Sequence, residues 1–182
     1  MIFRPVSFHD KQGRKVILRS AEEKDAGELI EYLRRTTEET PFLIREPDEV
    51  TLTVEQEKNF IESKKEDPQE LMLVATIGGK HVGSCSLMSM SGLKRYQHRS
   101  DVGIALYKEY CGSGIGRKMM EVILDAARQL GYEQAELEVV STNDTAISLY
   151  KSLGFSIYGT FPHSMKYSDG TYADAYWMMK YL

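Results

Sequence analysis

Apolar positions recur along this chain with two periods, one close to 3.6 residues and one of two, and the switches between them mark out its elements. Val16-Ile17-Leu18 is a short apolar run that reads as a strand. Ser20-x-x-Glu23 behind it has capping-box spacing, and Ala26, Leu29, Ile30 and Leu33 then fall on one helical face. Pro41 and Pro47 break that helix, and Thr53-x-x-Gln56 opens a second, which carries Val54, Phe60 and Ile61 ahead of the charged stretch Lys64 to Asp67. Leu71 to Ile77 and His81 to Met88 flank Gly78-Gly79-Lys80, the pattern of an antiparallel hairpin with a tight glycine turn.

Val102, Ile104 and Leu106 alternate on one face of a further strand. From Ile115 the apolar residues Met119, Val122, Ile123, Ala126 and Leu130 return to helical spacing, and Gly131 sits where a left-handed terminating glycine belongs. Ala135, Leu137 and Val139 restore the period of two. The unit from Val102 to Val140 therefore predicts strand, helix and strand in a right-handed parallel crossover. A last helix runs from about Thr145 with Ala146, Leu149, Tyr150 and Leu153 on one face and ends at Gly154. Two strands follow, around Phe155 to Thr160 and Tyr172 to Tyr181, joined by Ser168-Asp169-Gly170.

Length and charge narrow the picture. A chain of 182 residues fits a single domain spanning 1–182, and 42% hydrophobic with 27% charged residues is the composition of an ordinary globule. A net charge of −4 argues against a nucleic-acid partner. Cys85 and Cys111 form no C-x-x-C pair, so neither a zinc site nor a disulfide framework is expected, and a reducing cytoplasm fits best. No run approaches the roughly 18 apolar residues a membrane span requires, and the N-terminal stretch has no apolar signal core.

The segment with chemical content is the turn Cys111-Gly112-Ser113-Gly114-Ile115-Gly116 between a strand and a helix. Its three glycines clear side chains from the backbone amides, and the first turn of a helix offers unpaired N–H groups and a positive dipole end to an anion. Gly116 is followed by Arg117 and Lys118 with no hydroxyl residue next, which excludes a P-loop. Gly-x-Gly-x-Gly in the fourth strand unit also fits a dinucleotide fold poorly, since that fold places Gly-x-Gly-x-x-Gly near its first strand.

These residues resemble the Gln/Arg-x-x-Gly-x-Gly/Ala signature of the GNAT N-acetyltransferases. A second block strengthens the resemblance, because Leu137-Glu138-Val139, Asn143, Ala146, Leu149-Tyr150 and Gly154-Phe155 are similar to that family's Val-x-x-x-Asn-x-x-Ala-x-x-Leu-Tyr-x-x-x-Gly-Phe. The resemblance implies an α/β (α+β) fold. In it a central, mixed, mostly antiparallel twisted sheet carries about four flanking helices and a splayed parallel pair at its fourth and fifth strands, here Val102 to Leu106 and Leu137 to Val140. It also implies acetyl-CoA as co-substrate, no metal, and transfer of the acetyl group to an amine by direct attack.

Carried over residue by residue, the resemblance gives the pyrophosphate of coenzyme A to Cys111, Gly112, Ser113, Gly114, Ile115 and Gly116. Position 111 departs from the family by carrying Cys in place of Gln or Arg, and Arg117 is placed to supply the missing charge. Backbone N–H groups near Ile104 and Leu106 are expected to face the thioester carbonyl and the pantetheine arm. Asn143 is either a helix N-cap, a partner of that arm, or both. Tyr150 is either packing on an apolar stripe or the acid that protonates the departing thiolate. Asp101 is either a solvated strand-end carboxylate or the base that draws a proton from the amine, with Glu136, Glu138 and His98 as further candidates. Cys111 has no paired histidine nearby in the sequence and makes a poor acyl-carrying nucleophile.

The acceptor is open among small amines, polyamines, amino-acid-like compounds and protein N-termini. In the family it is chosen by segments that correspond to Thr36 to Thr51 and Pro162 to Asp174. The first holds Glu38, Glu39, Glu46, Asp48 and Glu49, which form either a solvated acidic loop or an acidic mouth for a cationic amine. The aromatic strand Tyr172 to Leu182 is either core or the interface of a homodimer. A coenzyme A-binding sensor without catalysis is the alternative to an enzyme.

Overall fold

A computed structural model describes residues 1–182. Eight strands and four α-helices follow one another as β1 (Val6–His9), β2 (Lys15–Ser20), α1 (Ala26–Glu39), α2 (Val54–Glu66), β3 (Leu71–Ile77), β4 (Lys80–Ser89), β5 (Arg99–Leu106), α3 (Ile115–Gln129), β6 (Gln134–Val140), α4 (Asp144–Ser152), β7 (Ser156–Lys166) and β8 (Tyr172–Tyr181). The strand order is β1-β2-β3-β4-β5-β6-β8-β7. The pairs β1–β2, β2–β3, β3–β4, β6–β8 and β7–β8 are antiparallel, and β5–β6 is parallel.

The chain forms two compact units. Met1–Met88 and Gly103–Ile123 make the first, and Ser89–Val102 and Leu124–Leu182 make the second. In the first unit, β2 buries Val16 and Leu18 while its alternate residues face outward, and β3 buries nearly every residue. Ala26, Leu29 and Tyr32 of α1 pack with Ile61 of α2, Val74 of β3 and Tyr107. The first half of α3 adds Ile115, Met119, Met120 and Ile123, all fully buried. In the second unit the core is built from Leu124 and Ala127 of α3, Ala135 and Leu137 of β6, Ile147 and Tyr150 of α4, Phe155, and Ala175 and Met178 of β8.

Several expectations are met for reasons visible in the backbone. Gly78 and Gly79 both hold positive φ, 58° and 84°, which a two-residue hairpin turn requires and which residues with a Cβ rarely adopt. Gly131 ends α3 at φ 87°. Thr53 and Gln56 form the reciprocal capping box of α2, with Gln56 N donating to Thr53 Oγ1 at 3.2 Å and Thr53 N to Gln56 Oε1 at 2.8 Å.

Three details differ from the sequence reading. β1 is an additional strand, so the parallel pair is the fifth and sixth strand rather than the fourth and fifth. The box before α1 is made by Glu22 and Asp25, not by Ser20 and Glu23, because the Ser20 hydroxyl already accepts the Phe3 amide at 2.8 Å. On α2, Ile61 is buried, but Val54 and Phe60 are 50% and 45% exposed and the buried place between them belongs to Glu57.

Candidate active site

In the first unit a short 3-10 turn, Lys108–Tyr110, separates the end of β5 from the glycine turn, which then runs into α3. Gly112 and Gly114 hold φ of 74° and 91°, a left-handed backbone that strains any residue with a Cβ, so the turn depends on them. A Cβ at Gly112 would meet nothing within 4 Å, which leaves that face of the turn open. Ser113 is buried, and its hydroxyl donates to the Tyr110 carbonyl at 2.5 Å. Ile115 is fully buried and fastens the start of α3, while Arg117 is exposed.

The β1–β2 hairpin turn lies against this segment. Lys11 N donates to the Ser113 carbonyl at 2.9 Å, and the Lys11 side chain would pass 3.5 Å from a Cβ on Gly114. A cavity of about 240 Å³ opens here, with Lys11, Arg117, Lys118 and His9 among its lining residues. Bare left-handed glycines at a helix N-terminus with Lys11 and Arg117 beside them suit a pyrophosphate, while the two carboxylates that also line the cavity, Asp10 and Glu121, are paired with Arg14 and Lys118. The sequence reading missed Lys11. Its signal was the glycine-containing turn Asp10 to Arg14 between two short runs of strand-forming residues.

Cys111 is exposed, and its thiol lies 3.7 Å from the Tyr107 carbonyl. The residue is exposed as a whole, but its sulfur lies against the chain, and this partial desolvation, then the Glu39 charge, push the thiol up from its ordinary value, away from the thiolate that a nucleophile needs. Ile104 and Leu106 are half-buried on β5. Gly83 of β4 lets β5 come close, because a Cβ there would stand 2.8 Å from Leu106 Cγ and 2.9 Å from the Ala105 carbonyl.

In the second unit the parallel ladder has three registered pairs, Arg99–Gln134, Ser100–Ala135 and Asp101–Glu136. It ends there, although β5 continues to Leu106 and β6 to Val140. Asp101 therefore stands at the last rung. Burial, then the charges of Glu136 and Glu138, raise its carboxyl to about 6. Tyr150, on α4, is 8% exposed and packs against Phe155 with ring centroids 5.9 Å apart. Burial, then the negative charge of Asp101, push its hydroxyl up to about 12. Asn143 caps α4, its side-chain oxygen accepting the Ala146 amide at 3.2 Å.

The other carboxylates are committed elsewhere. Glu136 is held by Arg99 through two bonds of 2.5 and 2.6 Å and also accepts from Gln134 and Tyr158. The Arg99 guanidinium holds its carboxyl below the usual range. Glu138 accepts from Trp177 Nε1 at 3.1 Å and from Ser164. His98 contributes its carbonyl to the Glu133 and Gln134 amides.

Comparison with known proteins follows the same lines. Residues 26–155 match the model of the acetyltransferase (GNAT) family. An acetyltransferase of the GNAT family from Streptococcus pneumoniae is 30% identical with a TM-score of 0.87, over 92% of this chain and 99% of that one. The L-amino acid N-acetyltransferase AaaT of Escherichia coli is 32% identical over 111 residues, which span 59% of this chain and 66% of that relative, just under two thirds of its length. An acetyltransferase from Salmonella typhimurium, solved with its cofactor acetyl-CoA, shares the fold at 20% identity with a TM-score of 0.81, over 92% of this chain and 94% of that one. With the glycine turn, the strand pair and the α4 block in place and most of its length matched, the chain belongs to the acetyltransferase (GNAT) family.

Proposed function

We infer that this chain transfers the acetyl group of acetyl-CoA to a primary amine by direct attack of the amine on the thioester. The observation that carries the reading is the place of Asp101 at the last rung of the parallel ladder, near enough to Tyr150 of α4 for its charge to act on that hydroxyl, with burial and neighbouring charge moving their proton affinities to about 6 and about 12. Two groups separated in this way take opposite parts in proton transfer. At neutral pH Asp101 is mostly ionised and basic enough to accept the proton of an ammonium group, directly or through water, and Tyr150 keeps its proton until a thiolate needs it.

The remaining roles follow from residue chemistry. The amides of Gly112 to Gly116, with Arg117 beside them, bind the pyrophosphate of the co-substrate. Backbone N–H groups at Ile104 and Leu106 orient the thioester carbonyl and stabilise the charge that grows on its oxygen. Asn143 uses its side-chain oxygen as a helix cap, which leaves its amide nitrogen for the pantetheine arm. Acetyl-CoA supplies the activated acetyl group and a thiol leaving group. The E. coli relative named as an L-amino acid N-acetyltransferase supports an amine acceptor, and the Salmonella protein supports acetyl-CoA as its source.

The test is release of free thiol from acetyl-CoA in the presence of amino acids, polyamines and peptide N-termini. Amine-dependent release, lowered about a hundredfold or more by Asp101→Asn, is expected. Binding of acetyl-CoA without release by any amine would overturn the reading in favour of a sensor.

A further inference from the structure

A second cavity, of about 250 Å³, opens in the first unit, and its wall includes Leu33, Leu43, Phe60, Met72, Met88 and Ile104. These residues come from α1, the segment after it, α2, β3, β4 and β5. The polar groups in the wall largely turn back into the protein. Tyr32 donates its hydroxyl to the Ala105 carbonyl at 2.7 Å, and Thr36 donates to the Tyr32 carbonyl at 2.7 Å. Lys64 is the one charged residue that lines the cavity. Its ammonium is ion-paired with Glu70 and lies 5.2 Å from the centroid of the Phe60 ring.

None of the five carboxylates that suggested an acidic mouth lines this space, and Glu38 and Glu39 belong to the last turn of α1. Glu39 accepts from Arg35 at 2.9 Å and from the Lys108 amide at 2.6 Å. Glu46 and Glu49 cap each other's backbone. A cationic group entering the cavity would lose its hydration and find no carboxylate, and an anionic group would find a lysine whose charge is already matched. An apolar group would meet alkyl, aromatic and thioether surface. Met72 and Met88 can adjust their rotamers to chains of different branching.

We propose that the acceptor is a primary amine carrying an apolar, uncharged side chain of aliphatic or thioether type, and that this cavity receives that side chain. The inference rests on the transferase reading above, because Ile104 in the cavity wall is a residue to which the thioester carbonyl is assigned there. Ser84, also on the wall, is engaged with Tyr32, and the neutral hydroxyl of Ser86 is a position that orients the acceptor without selecting for charge.

The experiment measures kcat/KM of the full chain with acetyl-CoA and a series of amino-acid amides with one reactive amine each: leucinamide, methioninamide, alaninamide, argininamide and glutamic acid α-amide. Leucinamide and methioninamide are expected to exceed alaninamide by about tenfold or more, and the two charged amides by a wider margin, the scale on which apolar pockets discriminate. Phe60→Ala, at a partly exposed position that tolerates truncation, is expected to shrink the leucinamide-to-alaninamide ratio at least about threefold. Preference for a charged amide, equal use of leucinamide and alaninamide, or an unchanged ratio in Phe60→Ala would overturn the proposal and leave the transferase reading standing. Absence of thiol release with every amine would overturn the transferase reading, and this proposal with it.

Discussion

Asp101 and Glu136 face each other as the last registered pair of the parallel ladder between β5 and β6. Arg99 keeps Glu136 ionised, so a fixed negative charge stands beside a carboxyl that is already partly stripped of water. Both effects raise Asp101, burial more than the neighbouring charge. If Asp101 is the base, kcat/KM rises with pH through a limb near 6. Glu136→Gln removes one like charge and frees the Arg99 cation, so the limb moves to lower pH. It stays above the ordinary carboxylate range, because the burial contribution remains. A pH–rate profile of both proteins checks this, and coincident limbs would remove Asp101 from the mechanism.

Tyr150→Phe keeps the ring against Phe155 and removes only the hydroxyl. Turnover is expected to fall about a hundredfold, with the dissociation constant of acetyl-CoA changed less than about threefold. Equal losses in both quantities would make Tyr150 a packing residue.

Gly112 and Gly114 are expected to fail as alanines for a conformational reason and not a steric one. Space is open at Gly112, and the nearest neighbour at Gly114 is at ordinary contact distance, but both backbones are left-handed. The strain is about 1–2 kcal/mol per site, and relieving it turns amides away from the ligand. Acetyl-CoA affinity, measured by titration calorimetry, is expected to fall about tenfold in either variant. Unchanged affinity in both would show that the turn does not hold the pyrophosphate.

Acid stability should show two opposed contributions. His81 is buried edge-on against Tyr32, with ring centroids 4.4 Å apart, and it also faces Tyr107. Burial lowers its proton affinity to about 4, with the nearby charges of Asp25 and Arg19 acting in opposite directions. Its unfolded value is about 6.5, so the unfolded chain takes up the proton first, and up to about 3 kcal/mol of stability is lost as pH falls from 6.5 to 4. Asp101 is raised, so its folded form takes up the proton first. Across nearly the same window it returns up to about 3 kcal/mol, reduced by solvent screening. Denaturant melts at pH 7 and pH 4 should therefore show His81→Leu gaining stability on acidification relative to the unsubstituted protein, and Asp101→Asn losing stability relative to it. The opposite signs would contradict the burial of these groups.

The sequence makes legible what depends on short spacing. The Gly112–Gly116 turn, the Asn143 to Phe155 block, the Gly78-Gly79 hairpin and the Thr53–Gln56 box are each set by neighbours within a few residues, and each forms as expected. β1 is hard to read because Val6–His9 is only four residues long and almost wholly exposed, so its alternation of Val6, Ser7, Phe8 and His9 marks no buried face. Ser20 misleads because its hydroxyl is taken by a residue from the N-terminal segment. Phe60 follows helical periodicity, yet it borders a cavity whose other walls come from α1, the segment after it, and three strands. The elevated proton affinity of Asp101 is invisible in sequence for the same reason, since it arises from burial and from carboxylates on another strand.

The central claim is tested most directly by following, in one reaction, thiol released from acetyl-CoA and the masses of both the amine and the protein. Expected is one acetylated amine for each thiol, no release when amine is omitted, and no acetyl group retained on Cys111. Thiol release without amine, an acetylated protein intermediate, or tight acetyl-CoA binding with no transfer to any amine would contradict direct acetyl transfer.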